Sequence, residues 1–257
     1  MGASGIVEGM DEVSLSELAP LKEYSRVVVL TGAGISRPSG LPTYRGDDGT
    51  WNDPEAARAA EADTVGTDLA AVWRLWGGLA HLAAAAQPNP AHRALAGAEE
   101  SLLARTASLL VVTQNVDGLH QRGGQRDVIE LHGNAHRQRC LDAGCALVAP
   151  YVGTGETIPS CAGCGGRARP DIVLFGEQLD LEDLERAWNT AAEADLLLAV
   201  GTSCGVSPAA NLVAVARQAG ALCVALTREP LPFNPGFHAA VTGLAERELP
   251  RWVAETR

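Results

Sequence analysis

Arg26-Val27-Val28-Val29-Leu30-Thr31-Gly32-Ala33-Gly34-Ile35-Ser36 runs from an unbroken apolar, β-branched segment straight into a turn punctuated by glycine. An apolar run without polar alternation suits a strand buried on both faces, as strands of a parallel sheet are. Two glycines after such a strand let the backbone approach a pyrophosphate and point amides at it. Arg37 stands where the dinucleotide fingerprint has its third glycine, and no acidic residue closes a following strand. Taken alone, then, the turn reads equally well as a tight connection with no ligand.

Working outward, further runs of the same type lie at Ser108–Thr113 and at residues 127–131, 195–200 and 221–227. Helical signals fall between them. Asn89 followed by Pro90 is an N-cap with proline at the first helical position, opening a helix to about Leu103. Asp180 with Asp183 starts another, and Pro208 opens a third that stops at Gly220. This alternation predicts an α/β fold with a Rossmann-like, doubly wound parallel sheet. Residues 43–87, alanine-rich and helical, and residues 134–169, with four cysteines and no clear period, break the rhythm. We read them as insertions forming a small helical and zinc-binding second domain. The large dinucleotide-binding domain then comprises 1–42, 88–133 and 170–257.

The chain has 257 residues, 46% hydrophobic and 20% charged, which suits a sizeable core. Its formal net charge of −11 disfavours nucleic acid as a partner and suits basic ones such as lysine-rich tails. Residues 1–10 lack a basic stretch followed by an apolar run, and the apolar runs at 191–200 and 221–226 are too short to span a bilayer. The expectation is a cytoplasmic protein with no membrane contact and reduced thiols. Nothing in the sequence fixes an oligomeric state.

Cys140 and Cys145 are followed, after fifteen residues, by Cys161 and Cys164. Paired knuckles of this spacing can gather four thiolates into the closed tetrahedron of a structural zinc. Arg137, Arg139, Arg167 and Arg169 flank the knuckles and could imitate a nucleic-acid ribbon, a reading the overall acidity opposes. Cys204 and Cys223 lie in apolar, strand-like surroundings and read as buried, inert thiols.

Ser39-Gly40-Leu41-Pro42-Thr43-Tyr44-Arg45-Gly46, Thr113-Gln114-Asn115-Val116-Asp117-Gly118-Leu119-His120 and Glu130-Leu131-His132-Gly133 follow in that order. With the glycine turn, the knuckles and Val173-Leu174-Phe175-Gly176-Glu177, they resemble the sirtuin family over roughly residues 26–250. The resemblance implies an NAD-dependent protein-lysine deacylase, a transferase that passes the acyl group from lysine to ADP-ribose and releases nicotinamide. Two alternatives remain open: an NAD hydrolase or ADP-ribosyltransferase on the same fold, and a non-catalytic NAD- or partner-binding module.

Carried over by position, His132 is the general base, a task that suits a histidine near neutral pH. Asn115 and Asp117 hold the nicotinamide carboxamide, and Gln114 the ribose. Gly32, Ala33 and Gly34 face the pyrophosphate, Arg45 orients it, and Tyr44 shields the reactive sugar carbon. Gly201, Thr202, Ser203, Thr227 and Ala245 fall on the adenosine side. Val173, Phe175 and Gly176 belong to the segment that pairs with the acyl-lysine substrate. The chain departs from the family pattern at Thr43, Tyr44 and Thr227. Sirtuins that remove acidic acyl groups carry tyrosine and arginine at positions that fall here on Trp76 and Leu79, which implies acetyl over succinyl.

Overall fold

A computed structural model describes residues 14–231 and 233–255, so the reading of residues 1–10 lies outside the described part. The strands among the described residues are β1 Arg26–Thr31, β2 Ser108–Thr113, β3 Val128–Glu130, β4 Gly133–Cys140, β5 Val148–Pro150, β6 Ala168–Ile172, β7 Leu196–Val200, β8 Leu222–Thr227 and β9 Ala239–Thr242. The helices are α1 Leu15–Leu18, α2 Pro54–Ala59, α3 Thr64–Thr67, α4 Leu69–Ala85, α5 Pro90–Leu103, α6 Leu119–Arg122, α7 Leu181–Glu193, α8 Asn211–Gln218 and α9 Ala245–Ala254.

Six strands form one parallel sheet in the order β3-β2-β1-β7-β8-β9. The chain winds outward from β1 to β2 and β3, then returns to the other side of β1 at β7, so the order reverses between these two neighbours. In an open sheet of this kind the crevice outside the carboxyl ends at that reversal receives ligands. The continuous apolar character of β1 has a direct cause. Val27 and Val29 pack with α5, α9 and α1, whereas Val28 and Leu30 pack with α7 and α8 on the opposite face. The fold class read from the sequence is the one observed.

Helix starts follow their caps. The Asn89 side chain accepts from the Ala91 amide at 2.9 Å, and Asp180 accepts from the Glu182 and Asp183 amides at 2.9 and 3.1 Å. Ser14 and Glu17 close a capping box at α1. Pro208 does not open α8: it sits in the preceding turn, where the Asn211 amide donates to its carbonyl, and the helix begins at Asn211.

A second, antiparallel sheet has the order β5-β4-β6. The sequence hides β4 because its pairing with β6 shifts between Asn134 and Gln138, which destroys a clean two-residue period. The four-residue β9 at the sheet edge likewise shows too little alternation to be read. The α4 helix lies against this sheet, and the Trp73 indole nitrogen donates to the Ala168 carbonyl at 2.9 Å. Among the described residues no single helix is long and apolar enough to cross a membrane.

Candidate active site and metal centre

A cleft of about 630 Å³ opens at the carboxyl ends of β1, β2 and β7 and continues toward the second sheet. Gly32, Ala33 and Gly34 come from the turn after β1, Tyr44 and Arg45 from the loop beyond it, and Gln114 and Asn115 from the end of β2. Gly201, Thr202 and Ser203 follow β7, His132 precedes β4, and Val173, Phe175 and Gly176 follow β6. Chemistry-bearing residues that lie far apart in sequence thus meet at the reversal point.

The glycine turn packs tightly against the loop that follows β7. The Gly32 amide donates to the Val200 carbonyl at 3.1 Å and that of Gly34 to Gly201 at 2.9 Å. The Ile35 and Ser36 amides close the turn on Gly32 and Ala33, so these four donors are spent inside the protein rather than aimed at a phosphate. What the small residues secure is close packing. A Cβ on Gly34 would lie 2.7 Å from the Gly201 oxygen, and one on Gly201 would lie 2.4 Å from the Ile35 nitrogen. Bare backbone on both loops is what allows the two strand ends to pack this closely.

His132 shows how a proton acceptor is prepared. Its Nδ1 lies 3.0 Å from the Gln114 carbonyl, which can only accept, so Nδ1 carries the hydrogen and Nε2 keeps its lone pair. Burial pushes the imidazole pKa below its ordinary value, against the opposing effect of that carbonyl. The ring is therefore neutral, and able to accept a proton, at pH 7. The His132 carbonyl in turn accepts from the Val173 amide at 3.0 Å, which ties the base to the segment after β6.

Asp117 stands behind the cleft wall rather than in it. Its carboxylate accepts from the Ser36 hydroxyl at 2.6 Å and from the Leu119 amide at 2.9 Å. Burial raises its pKa, and Ser36, Leu119 and His136 oppose the rise. The Asn115 amide nitrogen donates to the Gly32 carbonyl at 3.1 Å and the Ser36 hydroxyl at 3.3 Å, while its buried Oδ1 has no partner among the described residues. An unpartnered amide oxygen on a residue of the cleft wall fits a ligand that brings an N–H donor, as a carboxamide does.

The sequence reading gave Ser36 and His92 no role, yet both belong here. His92 Nδ1 accepts from the Asn89 amide at 3.3 Å and Nε2 meets the Ser36 hydroxyl at 3.4 Å. Burial lowers its pKa to about 4. The usable signal was Asn89-Pro90-Ala91-His92, which puts a polar side chain three residues after an N-cap, within reach of it. His120 is buried and neutral, with Nε2 at 2.9 Å from the Thr31 hydroxyl.

Thr227 and Ala245 do not line the main cleft. Thr227 ends β8 and Ala245 opens α9, one strand and more outward from the reversal point. The buried Thr227 hydroxyl has no partner among the described residues, which fits a polar ligand group extending along this edge.

The segment after β6 is held from two sides. The Phe175 amide donates to the Ala60 carbonyl, and the Phe175 carbonyl accepts from the Ala62 amide, both at 2.9 Å. Glu177 pairs with Arg169 and accepts from the Leu174 amide at 2.8 Å. Burial pushes the Glu177 carboxyl up, but Arg169, Leu174 and Arg139 outweigh it and hold it below the usual carboxylate range.

Cys140, Cys145, Cys161 and Cys164 converge as the spacing predicts, with all four sulfurs within 4.8 Å of one another. Two edges, Cys140–Cys164 at 3.4 Å and Cys145–Cys161 at 3.7 Å, are close to the roughly 3.8 Å edge of a tetrahedron with Zn–S bonds of about 2.3 Å. The four residues fit zinc. Of the flanking arginines, Arg137, Arg139 and Arg169 are engaged with Glu130, Asp171 and Glu177. The basic ribbon is therefore largely neutralised. Cys223 lies within β8, but Cys204 sits in the loop after β7 with φ of 51°, a correction to its strand-like reading. Burial pushes both thiols up to about 11, which suits inert residues.

Comparison with known proteins agrees with this geometry. The Sir2 family profile matches residues 32–208. An NAD-dependent protein deacylase of Thermus thermophilus is 44% identical over 227 residues, covering 88% of this chain and 89% of the relative. Among solved structures, a mutant Sir2 homologue in complex with 2′-O-acetyl ADP ribose superposes with a TM-score of 0.85 at 33% identity, covering 95% of this chain and 97% of that one. A Sir2–p53 peptide–NAD+ structure gives 0.80 at 30% identity, with 94% and 97% covered. The chain belongs to the Sir2 family, the sirtuins.

Proposed function

We propose that this chain is an NAD-dependent protein-lysine deacylase that works on acylated lysines of protein substrates. The observation that carries the reading is His132, neutral, with Nε2 free and its ring locked by Gln114 at the wall of the cleft. NAD, when bound, supplies an electrophilic sugar carbon with nicotinamide as its leaving group. Asn115 receives the carboxamide through its unpartnered Oδ1, and Asp117, fixed by Ser36, backs that position. Tyr44, stacked on Trp51 at 4.9 Å between ring centroids, covers the reacting end and keeps water out. His132 Nε2 takes the proton of a ribose hydroxyl so that the acyl group can pass to the sugar. Val173, Phe175 and Gly176 line the arm of the cleft that receives the acylated lysine. Zinc, held by the four cysteines, has no open position for chemistry and holds β4, β6 and their loops together.

The substrate lysine carries acetyl in preference to succinyl. Trp76 lines the cleft, Leu79 packs behind it, and the only Lys or Arg among the described lining residues is Arg45. The free carboxylate of a succinyl group at the Trp76 end would be buried without a cation, at a cost of several kcal/mol. Four free thiols poised for a metal suit a reducing, cytoplasmic setting, and the net charge of −11 turns the protein away from nucleic acid and anionic membranes. The test is mass spectrometry of matched acetyl- and succinyl-lysine peptides incubated with NAD. Deacetylation at least tenfold faster, with acetyl-ADP-ribose as product, is expected; faster desuccinylation would overturn the acyl preference.

A further inference from the structure

His132 and the substrate segment meet where β4 begins beside the end of β6. Gly133 lies opposite Ile172 and Asn134 opposite Asp171, and the Val173 amide donates to the His132 carbonyl at 3.0 Å. Beyond Asn134 this pairing stops. The register jumps to Gln138 opposite Pro170, so Ala135, His136 and Arg137 have no partner on β6. Such a bulge beside a site bends its strand and re-aims side chains. Here the Ala135 amide donates to the Val116 carbonyl at 2.8 Å, and His136 Nε2 lies 3.0 Å from the Asp117 carbonyl. The bulge therefore leans on the segment that follows β2.

Arg137 spans the interruption with its side chain. Its Nε donates to Asp171 at 2.8 Å and its Nη1 to Glu130 at 2.9 Å. Glu130 stands two residues before His132, and Asp171 two residues before Val173. One guanidinium thus ties the end of β3, which leads into the base, to β6, which leads into the substrate segment. Glu130 also accepts from Gln121 at 2.8 Å and from Asn134 at 2.6 Å, so its carboxylate is a fixed anchor.

Neither carboxylate has another ion-pair partner among the described residues, and their side chains are only 11% and 17% exposed. Without Arg137, two negative charges that had each lain within 3 Å of one group would be left close together, with little screening by water. Their repulsion would part the strand ends that the His132–Val173 bond joins. A lysine replaces this only in part, because its ammonium is a point charge, whereas the planar guanidinium offers donors to both carboxylates at once.

We infer that Arg137 is a positioning residue for deacylation, spanning the β4 bulge and setting the distance between His132 and the segment that receives the acylated lysine. This rests on the deacylase reading. Its effect falls on turnover rather than on NAD binding, because Arg137 bonds to none of the residues that line the cleft after β1, β2 and β7.

The test measures deacetylation kinetics and, separately, NAD binding by calorimetry. It uses the full-length wild type, Arg137→Gln, Asp171→Asn and the double variant, each shown by its melting curve to be folded at the assay temperature. In Arg137→Gln kcat should fall roughly tenfold to a hundredfold, the scale of a displacement of about 1 Å between reacting groups, with NAD binding unchanged. The double variant should recover most of that loss, since an amide beside Glu130 does not repel it. An unchanged kcat in Arg137→Gln, a loss that the double variant does not recover, or a loss matched by weaker NAD binding would each overturn the proposal. Should Arg137→Gln fail to fold, Arg137→Lys decides: kcat below that of the wild type is expected, and an equal kcat overturns it. A wild type that turns over no acyl peptide fails the deacylase reading instead. Hydrogen exchange at the Val173 amide then judges the positioning role alone, with faster exchange in Arg137→Lys expected and equal exchange overturning it.

Discussion

At His132 one carbonyl fixes which nitrogen carries the proton, and burial keeps the ring neutral to lower pH than an ordinary histidine. The acid limb of kcat/KM should therefore have its midpoint below the usual value of about 6.5. A midpoint clearly above it would mean that another group sets the limb. Asp117 invites a second test through Ser36, which donates to it at 2.6 Å. Ser36→Ala leaves a buried carboxylate with one fewer donor, and binding of NAD should weaken about tenfold while ADP-ribose, lacking nicotinamide, is held almost as before. Calorimetry showing equal losses for the two ligands would place Ser36 elsewhere in the site. Residue identity was only partly legible here. His132 and Asn115 announced themselves by motif, whereas Ser36 and His92 act through contacts between β1, α5 and the end of β2, which no local pattern displays.

Among the elements, the buried parallel strands were readable because both faces of each are covered, so their apolar runs are unbroken. The antiparallel strand β4 was not, since its register shift and half-buried side chains leave no period. The glycine turn was legible, and the structure adds a packing role to it: the Gly32 and Gly34 amides donate to Val200 and Gly201, and the missing side chains allow close approach to Gly201. Gly34→Ala should accordingly cost stability as well as NAD affinity, by roughly 1–3 kcal/mol of overpacking in urea denaturation. The four-cysteine cluster was legible from spacing alone, because a tetrahedral site needs little else. Removing zinc with a strong chelator should lower the melting temperature by several degrees and loosen β4 and β6 first, as hydrogen exchange would report. Unchanged protection in both strands would argue against a structural metal.

The whole molecule places its chemistry between two sheets: the parallel sheet supplies the reversal point, and the antiparallel one supplies the segment tied to His132 through Val173. The same packing buries His92 and His120 in neutral form. Unfolded histidines titrate near 6.5, and these two hold their protons less well when folded, so the unfolded state binds more protons below that pH. Stability should be full above about 6.5 and fall as the pH drops from there toward about 4, the value for His92. A melting temperature independent of pH across this range would contradict such burial. The central claim is the coupling of NAD cleavage to an acylated lysine through His132. Its most direct test is nicotinamide release from NAD by the purified protein, with and without an acetyl-lysine peptide, beside His132→Ala. The account predicts release that requires the peptide and is slowed at least a hundredfold in the variant, the scale of a lost general base. Equal release without peptide, or full release in His132→Ala, would contradict it.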